Sequence, residues 1–191
     1  GKLTGCHCMG TKALERVLDA QGDVISHGFY LNDELAQRMV EQGVYLDPTL
    51  SSYGRQTMNP ALRRCKVWGE LHKPLVTAME NAMRAAVRAG VKIVTGTDSA
   101  GRYAEDVEMM RELGLDPIHS LLACTRHAAE AAGVGDEVGT VTPGKVADLV
   151  ILGGNPLEDP YKLEDVVSVV QGGSVFKPDD VALGPDRGPR E

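Results

Sequence analysis

Three residues could carry chemistry in this chain: His7, His27 and Asp98. His7 stands at the end of the strand predicted for Lys2–Cys8. His27 ends the run Asp23-Val24-Ile25-Ser26-His27, and Asp98 ends Val91-Lys92-Ile93-Val94-Thr95-Gly96-Thr97-Asp98. Short apolar or β-branched runs bounded by glycine and polar residues read as buried strands. The C-terminal ends of parallel strands converge on one face of an α/β barrel, whatever their separation in sequence. Two imidazoles and a carboxylate gathered there have the ligand composition of a zinc-type catalytic centre. Such a cation lowers the pKa of water to about 7, and a neighbouring carboxylate can take the released proton and pass it to a leaving amine. Singly, each residue has a plainer reading: Asp98 as a helix N-cap, either histidine as a satisfied core or loop residue. Their joint occurrence, on consecutive strand–helix units with the aspartate two units later, favours the functional reading.

The elements that must position these residues follow a strand–helix rhythm. Ala13, Leu14, Val17 and Leu18 give a helix over Thr11–Ala20 that Gly22 ends. Asn32 is the predicted N-cap of the next, with Asp33 and Glu34 in its first turn and Gly43 at its close. A third strand opens at Val44-Tyr45-Leu46 and runs into Asp47-Pro48-Thr49-Leu50. Ser51–Leu71, with Gly54, Pro60 and Arg63-Arg64, reads as a long polar insertion of the kind that serves function or moves. Leu75–Ala89 reads as a strong helix, followed by the strand to Asp98 and by helices over Ala104–Leu113 and Pro117–Ala132. The character then changes: Gly139–Leu152 is a turn feeding a strand, and Val166–Val170 and Ser174–Phe176 form a hairpin across Gly172-Gly173. Parallel strands with right-handed crossovers are expected first, then a small separate sheet.

The bulk numbers set the class. The 191 residues suffice for one domain with a sizeable core, and 42% hydrophobic with 25% charged residues is ordinary for a globular protein. A net charge of −7 argues against nucleic acid or an anionic membrane as partner, and no apolar run could span a bilayer. Four cysteines, Cys6, Cys8, Cys65 and Cys124, make no zinc-finger pattern and are expected as free thiols in a reducing, cytoplasmic setting. The chain opens Gly1-Lys2-Leu3-Thr4, in mid-strand, and is expected to be a piece of a longer protein.

The residues Gly5-Cys6-His7, Ile25-Ser26-His27-Gly28, Thr95-Gly96-Thr97-Asp98-Ser99 and Gly144-Lys145-Val146-Ala147-Asp148-Leu149-Val150 together resemble the C-terminal half of the amidohydrolase superfamily, in its imidazolonepropionase and prolidase-like branch. The resemblance runs from Leu3 to Phe176. It implies an α/β fold: the C-terminal half of a TIM-like (β/α)8 barrel over 1–137 and a β-sandwich portion over 138–177; the proline-, glycine- and charge-rich residues 178–191 read as a disordered tail. It implies that His7 and His27 are the metal ligands of strands five and six. Asp98 becomes the strand-eight aspartate that binds metal and shuttles the proton, and Tyr53 a substrate contact. The cofactor implied is zinc, or one or two divalent metals. The substrate implied is a small molecule with an amide-type C–N bond, of the dipeptide or N-acyl amino acid class. Arg102 could meet a substrate carboxylate bidentately, or be a surface arginine.

The departures are as informative. The family's His-x-His pair of strand one and carboxylated lysine of strand four have no counterpart here. Four strands cannot close a barrel, so the chain is expected to pair with a missing N-terminal half or with another copy as a homo-oligomer. A non-catalytic half-barrel partner is therefore the second reading. A deaminase of an aminated ring is disfavoured, because Cys8-Met9-Gly10 follows His7 where a His-x-x-Glu signature would be needed. His72 is expected to face solvent, His119 and His127 to be packing or surface residues, Cys6 and Cys8 to pack, and Asp148 to stabilise a turn.

Overall fold

The structure is a computed structural model and describes residues 2–53, 66–98 and 101–178. The strand–helix rhythm folds as strands β1 (Gly5–Cys8), β2 (Val24–His27) and β3 (Tyr45–Asp47), all parallel and in that order. The register places Cys8 opposite His27 and Ser26 opposite Asp47, so the C-terminal strand ends lie side by side.

Helix α1 (Thr11–Asp19) connects β1 to β2 and buries Leu14 and Leu18. Helix α2 (Asp33–Gln42) connects β2 to β3. The Leu35 N–H donates to Asn32 Oδ1 at 2.9 Å, Asp33 and Glu34 occupy the first turn, and Gly43 ends the helix at φ +71°. Those local caps are the ones the sequence predicts.

The strand predicted through Asp98 is reduced to one parallel bridge between Ile93 and Leu46. The Leu46 N–H donates to Lys92 O and the Val94 N–H to Leu46 O, and there the ladder stops. Pro48, just past β3, has no N–H to offer. Thr95 N–H turns instead to Ala123 O at 3.3 Å, and Asp98 takes φ +50°, a left-handed conformation that no extended ladder accommodates.

The polar insertion read over Ser51–Leu71 is structured at both ends. A short helix α3 (Leu50–Tyr53) follows Thr49, and the helix predicted from Leu75 begins earlier, as α4 (Lys66–Ala89), with Pro74 inside it. Proline removes one intrahelical bond and invites a kink. The helix packs against α2 and buries Met79, Met83 and Ala86, burial that offsets that local cost. Gly54, Pro60, Arg63, Arg64 and Cys65 lie outside the described residues, as does Ser99.

Helix α5 (Tyr103–Glu112) leads to α6 (Pro117–Cys124), whose Asp116 cap accepts from the Ile118 and His119 N–H groups. The single helix predicted over Pro117–Ala132 breaks at Thr125 (φ −129°, ψ −89°) before α7 (Arg126–Ala131). Thr125 Oγ1 donates back to Leu121 O at 2.7 Å, giving the chain a local alternative to helical continuation.

A second sheet is antiparallel: β4 (Leu149–Leu152) pairs with β5 (Val166–Gln171), which pairs with β6 (Ser174–Phe176) across the predicted Gly172-Gly173 turn. Asp148 has the turn role expected of it, since Oδ1 accepts from the Gly172 N–H at 2.8 Å. Val150, Val169 and Phe176 are cross-strand neighbours and stand 58%, 37% and 40% exposed, an apolar row with no layer over it among the described residues. From residue 179 onward, the predicted tail lies outside the described residues.

The main core joins the parallel strands to their helices. Leu14, Ile25, Phe29, Met39, Leu46 and Met83 are among its fully buried side chains. Burying each contributes about 1.5–3 kcal/mol before the entropy of ordering is subtracted. At the N-terminal end of the strands, Lys92 Nζ and Arg126 Nε each donate to Glu130, and the Tyr45 hydroxyl donates to it as well. This network holds the Glu130 carboxyl down to about 2 and ties β3 to α7 on the face opposite His7 and His27.

Candidate active site

The strand ends bring the two predicted histidines into contact. His7 Nδ1 lies 2.8 Å from His27 Nε2, and their rings meet edge-on with centroids 4.4 Å apart. His7 is exposed, whereas His27 is only 5% exposed. The other His27 nitrogen, Nδ1, is 2.7 Å from Thr49 Oγ1. In the tautomer in which Nδ1–H donates to Thr49, Nε2 keeps its lone pair and faces the cleft. Burial lowers the His27 pKa, the His7 ring lowers it further, and Asp98 opposes both.

Asp98 lines the same open cleft, of about 260 Å³, together with His7, Ser26, His27, Asp47 and Thr49. Asp47, Thr49 and Ser26 were not nominated by sequence reasoning. The signal that marks Asp47 is its place at the end of β3, matching that of His27 at the end of β2. Its carboxylate accepts from Ser26 Oγ at 3.4 Å, while Oδ1 is buried with no hydrogen-bond partner among the described residues. Burial raises the Asp47 pKa, and the Asp98 charge adds to that.

Backbone strain collects here. Among the described residues, the non-glycine positions with positive φ are Gln21, His27 (+70°), Tyr30, Thr49 (+49°) and Asp98 (+50°), and three of these line the cleft. Each such residue costs on the order of 1–3 kcal/mol, and a β-branched threonine is a clear outlier. Strain of this kind clusters where side chains are aimed for function.

Two further groups hold the Thr49 turn. Asp106, on α5 and fully buried, accepts the Ser51 N–H on Oδ1 at 2.9 Å. Burial pushes the Asp106 carboxyl up to about 7, against the stabilising N–H groups of α3. Ser52 Oγ donates to Thr97 O and so links α3 to the segment carrying Asp98. Tyr53, on the same short helix, packs edge-on to His27 (centroids 5.5 Å apart) and to Phe29 (5.1 Å). Burial raises its hydroxyl pKa, with a contribution from Asp98.

Other candidates lie elsewhere. Arg102 pairs with Glu164 at 2.6 Å and does not line the cleft. His72 departs from the expectation of a solvent-facing residue: it is half-buried, with Nε2 3.2 Å from Tyr53 O, because α4 begins early enough to lay it against α3. His127 packs with Nδ1 donating to Ile93 O, and His119 pairs with Asp116 at the surface. Cys6, Cys8 and Cys124 are free thiols.

The donor set can be tested against a divalent cation. Zinc bound tetrahedrally at 2.0–2.1 Å per nitrogen separates two ligand nitrogens by roughly 3.3 Å. Nδ1 of His7 and Nε2 of His27, at 2.8 Å, need only a small separation to reach that spacing. The Thr49 contact supplies the outer-shell partner that metal-binding histidines use to fix their tautomer. The imidazole pair therefore fits. Among the described residues no group of three or more His, Cys, Asp or Glu side chains is arranged to hold a metal ion, so Asp98 shares the cleft without closing a ligand triad.

Residues 1–176 match the amidohydrolase family. The chain belongs to that family. Ochratoxinase of Aspergillus niger is 27% identical over 202 residues, which cover 98% of this chain and 39% of that protein. Its crystal structure superposes with a TM-score of 0.82 over 92% of this chain and 42% of its own. A Xaa-Pro dipeptidase with methionine bound in its active site superposes with a TM-score of 0.80 at 25% identity, over 92% of this chain and 45% of its own. Imidazolonepropionase of Chloroflexus aggregans is 37% identical over 78 residues, covering 37% of this chain and 18% of that protein. This amidohydrolase-family chain thus spans half or less of the length of the relatives it matches, and its fold is part of an amidohydrolase TIM barrel. Among its described residues, no helix is long and apolar enough to cross a membrane.

Proposed function

We propose that this chain is the C-terminal half of a cytoplasmic, metal-dependent amidohydrolase that cleaves an amide-type C–N bond in a dipeptide or N-acyl amino acid. The barrel portion would be 1–137 and the sandwich portion 138–177. The observation that carries the reading is the 2.8 Å approach of His7 Nδ1 to His27 Nε2 in a cleft shared with Asp98.

His7 and His27 would hold the cation, zinc or another divalent metal. When bound, it supplies Lewis acidity, polarising the substrate carbonyl and acidifying water. The rest of the work falls to side chains of this protein. Thr49 keeps the His27 ring in the tautomer whose Nε2 faces the cleft. Asp98 takes the proton of the attacking water and delivers it to the leaving nitrogen, so that an amine departs rather than an amide anion. Tyr53 packs against His27 without lining the cleft, and would have to turn toward it to contact a substrate; Arg102 would have to leave Glu164 to reach a substrate carboxylate.

The remaining ligands and strands would come from an N-terminal half or from another copy of the chain. The uncovered row Val150, Val169 and Phe176 suits an added layer of sheet. A non-catalytic half-barrel is the competing reading, favoured by the lack of a third metal ligand among the described residues.

The test is elemental analysis and a hydrolysis panel of dipeptides, Xaa-Pro included, and N-acyl amino acids, on the product of the complete reading frame. Near-stoichiometric metal, with turnover lost on chelation and restored by zinc, supports the enzyme. Metal-free protein that zinc does not activate supports the inert half-barrel.

A further inference from the structure

We infer that Asp106, on α5, is a positioning residue that sets the ring of His27 through α3 and Thr49. The inference rests on the proposed metal-binding role of His27, although its main readout needs no metal.

Asp106 touches neither histidine. It is fully buried, and Oδ1 accepts the Ser51 N–H at 2.9 Å, one of the backbone donors that the start of a helix leaves without an intrahelical partner. The Ser51 hydroxyl and the Leu50 N–H also stabilise its charged form, so the carboxyl is held by α3. A fully buried carboxyl group is an expensive way to cap a four-residue helix. The cap gains purpose from the residue just before that helix. Thr49 is held at φ +49°, a conformation that a β-branched residue does not adopt unaided, and in it Oγ1 stands 2.7 Å from His27 Nδ1. His27, itself at φ +70°, then presents Nε2 to His7. Asp106 thus fixes Ser51, two residues beyond the hydroxyl that fixes the imidazole.

The experiment compares the full chain with Asp106→Leu, which removes the acceptor at similar volume, and Asp106→Asn, which keeps one. Thr49→Val shows what loss of the hydroxyl contact looks like. The readout is the pair of ring ¹⁵N shifts of His27 in metal-free protein, with zinc affinity measured by chelator competition beside it. Asp106→Leu is expected to reproduce the Thr49→Val shifts and to weaken zinc on the order of 10–100-fold, the usual effect of losing an outer-shell partner. Asp106→Asn is expected to keep the shifts of the unaltered chain. A folded Asp106→Leu with unaltered His27 shifts overturns the inference. Should Asp106→Leu not fold, Asp106→Ala replaces it, and unfolding of both makes Asp106 a fold determinant and overturns the positioning role. If the unaltered chain binds no zinc, the metal reading fails, while the ring shifts still decide the role of Asp106.

Discussion

Gly96 lies against the carboxylate of Asp47 so closely that a Cβ there would fall 2.7 Å from Oδ2 and nearer still to Oδ1. Asp47 ends β3, and Gly96 belongs to the segment that leaves the sheet toward Asp98, so the contact sets where that segment turns. Gly96→Ala is expected to cost roughly 1–3 kcal/mol, as overpacking does, read as a lowered urea midpoint with an unchanged m-value. Combining it with Asp47→Ala removes the obstacle. The double variant should then lose clearly less stability than the two single losses summed. Simple additivity would mean that the two residues do not meet.

His7 and His27 share one contact but differ in burial, and that separates their variants. His7 is exposed, so His7→Ala should leave the thermal midpoint within a few degrees, an effect under about 0.5 kcal/mol. His27 is buried, bonded on both ring nitrogens and held at φ +70°. His27→Ala should cost roughly 1–3 kcal/mol through the unpaired Thr49 hydroxyl and the vacated volume. Both should abolish zinc retention on a desalting column. Retention by either variant would move the cation site elsewhere.

Much of this was legible because it is local or topological. Asn32 and Gly43 announce α2 by their own backbone chemistry, and His7 and His27 meet because parallel strand ends must. What was illegible depends on partners distant in sequence. No local signal says that the segment after Val94 is pulled toward Ala123, or that Asp98 ends in a left-handed turn. The apolar spacing predicts a helix from Leu75, whereas α4 starts at Lys66 and runs through Pro74. Thr49 matters through a positive φ that its residue type disfavours, and Asp106 through a contact across 55 positions. The strained and buried polar groups around His27 are where sequence rules fail, as expected of a working site.

The buried Asp106 carboxyl makes stability depend on pH. Its folded value, about 7, lies above the ordinary 3.8, so the native state holds a proton that the unfolded chain releases. Stability is therefore fully present below about pH 4 and declines as pH rises through about 7. A shift of this size corresponds to at most about 4 kcal/mol. The ionisable groups around it are Asp47, Tyr103 and Cys124, and the Asp47 charge acts in the same direction. Urea unfolding at half-unit pH steps should show this fall in the unaltered chain, and Asp106→Asn, neutral throughout, should flatten it. An equal slope in both would place the titration on another group.

Asp98 is the proposed proton carrier, and it lines the cleft beside the imidazole pair, so its two possible roles can be told apart. Asp98→Asn keeps the shape of the side chain and can still occupy the cleft, but it cannot accept the proton of the attacking water. Positioned acid–base groups contribute about 100- to 10,000-fold, so turnover of a dipeptide or N-acyl amino acid by the complete protein should fall by that order. Zinc content should stay near that of the unaltered protein, because the facing nitrogens of His7 and His27 are untouched. Loss of zinc together with activity would instead make Asp98 a metal ligand first, drawn toward the imidazoles when the remainder of the barrel is present. Unchanged turnover would remove Asp98 from the reaction and leave Asp47, the other carboxylate lining the cleft, as the group to test.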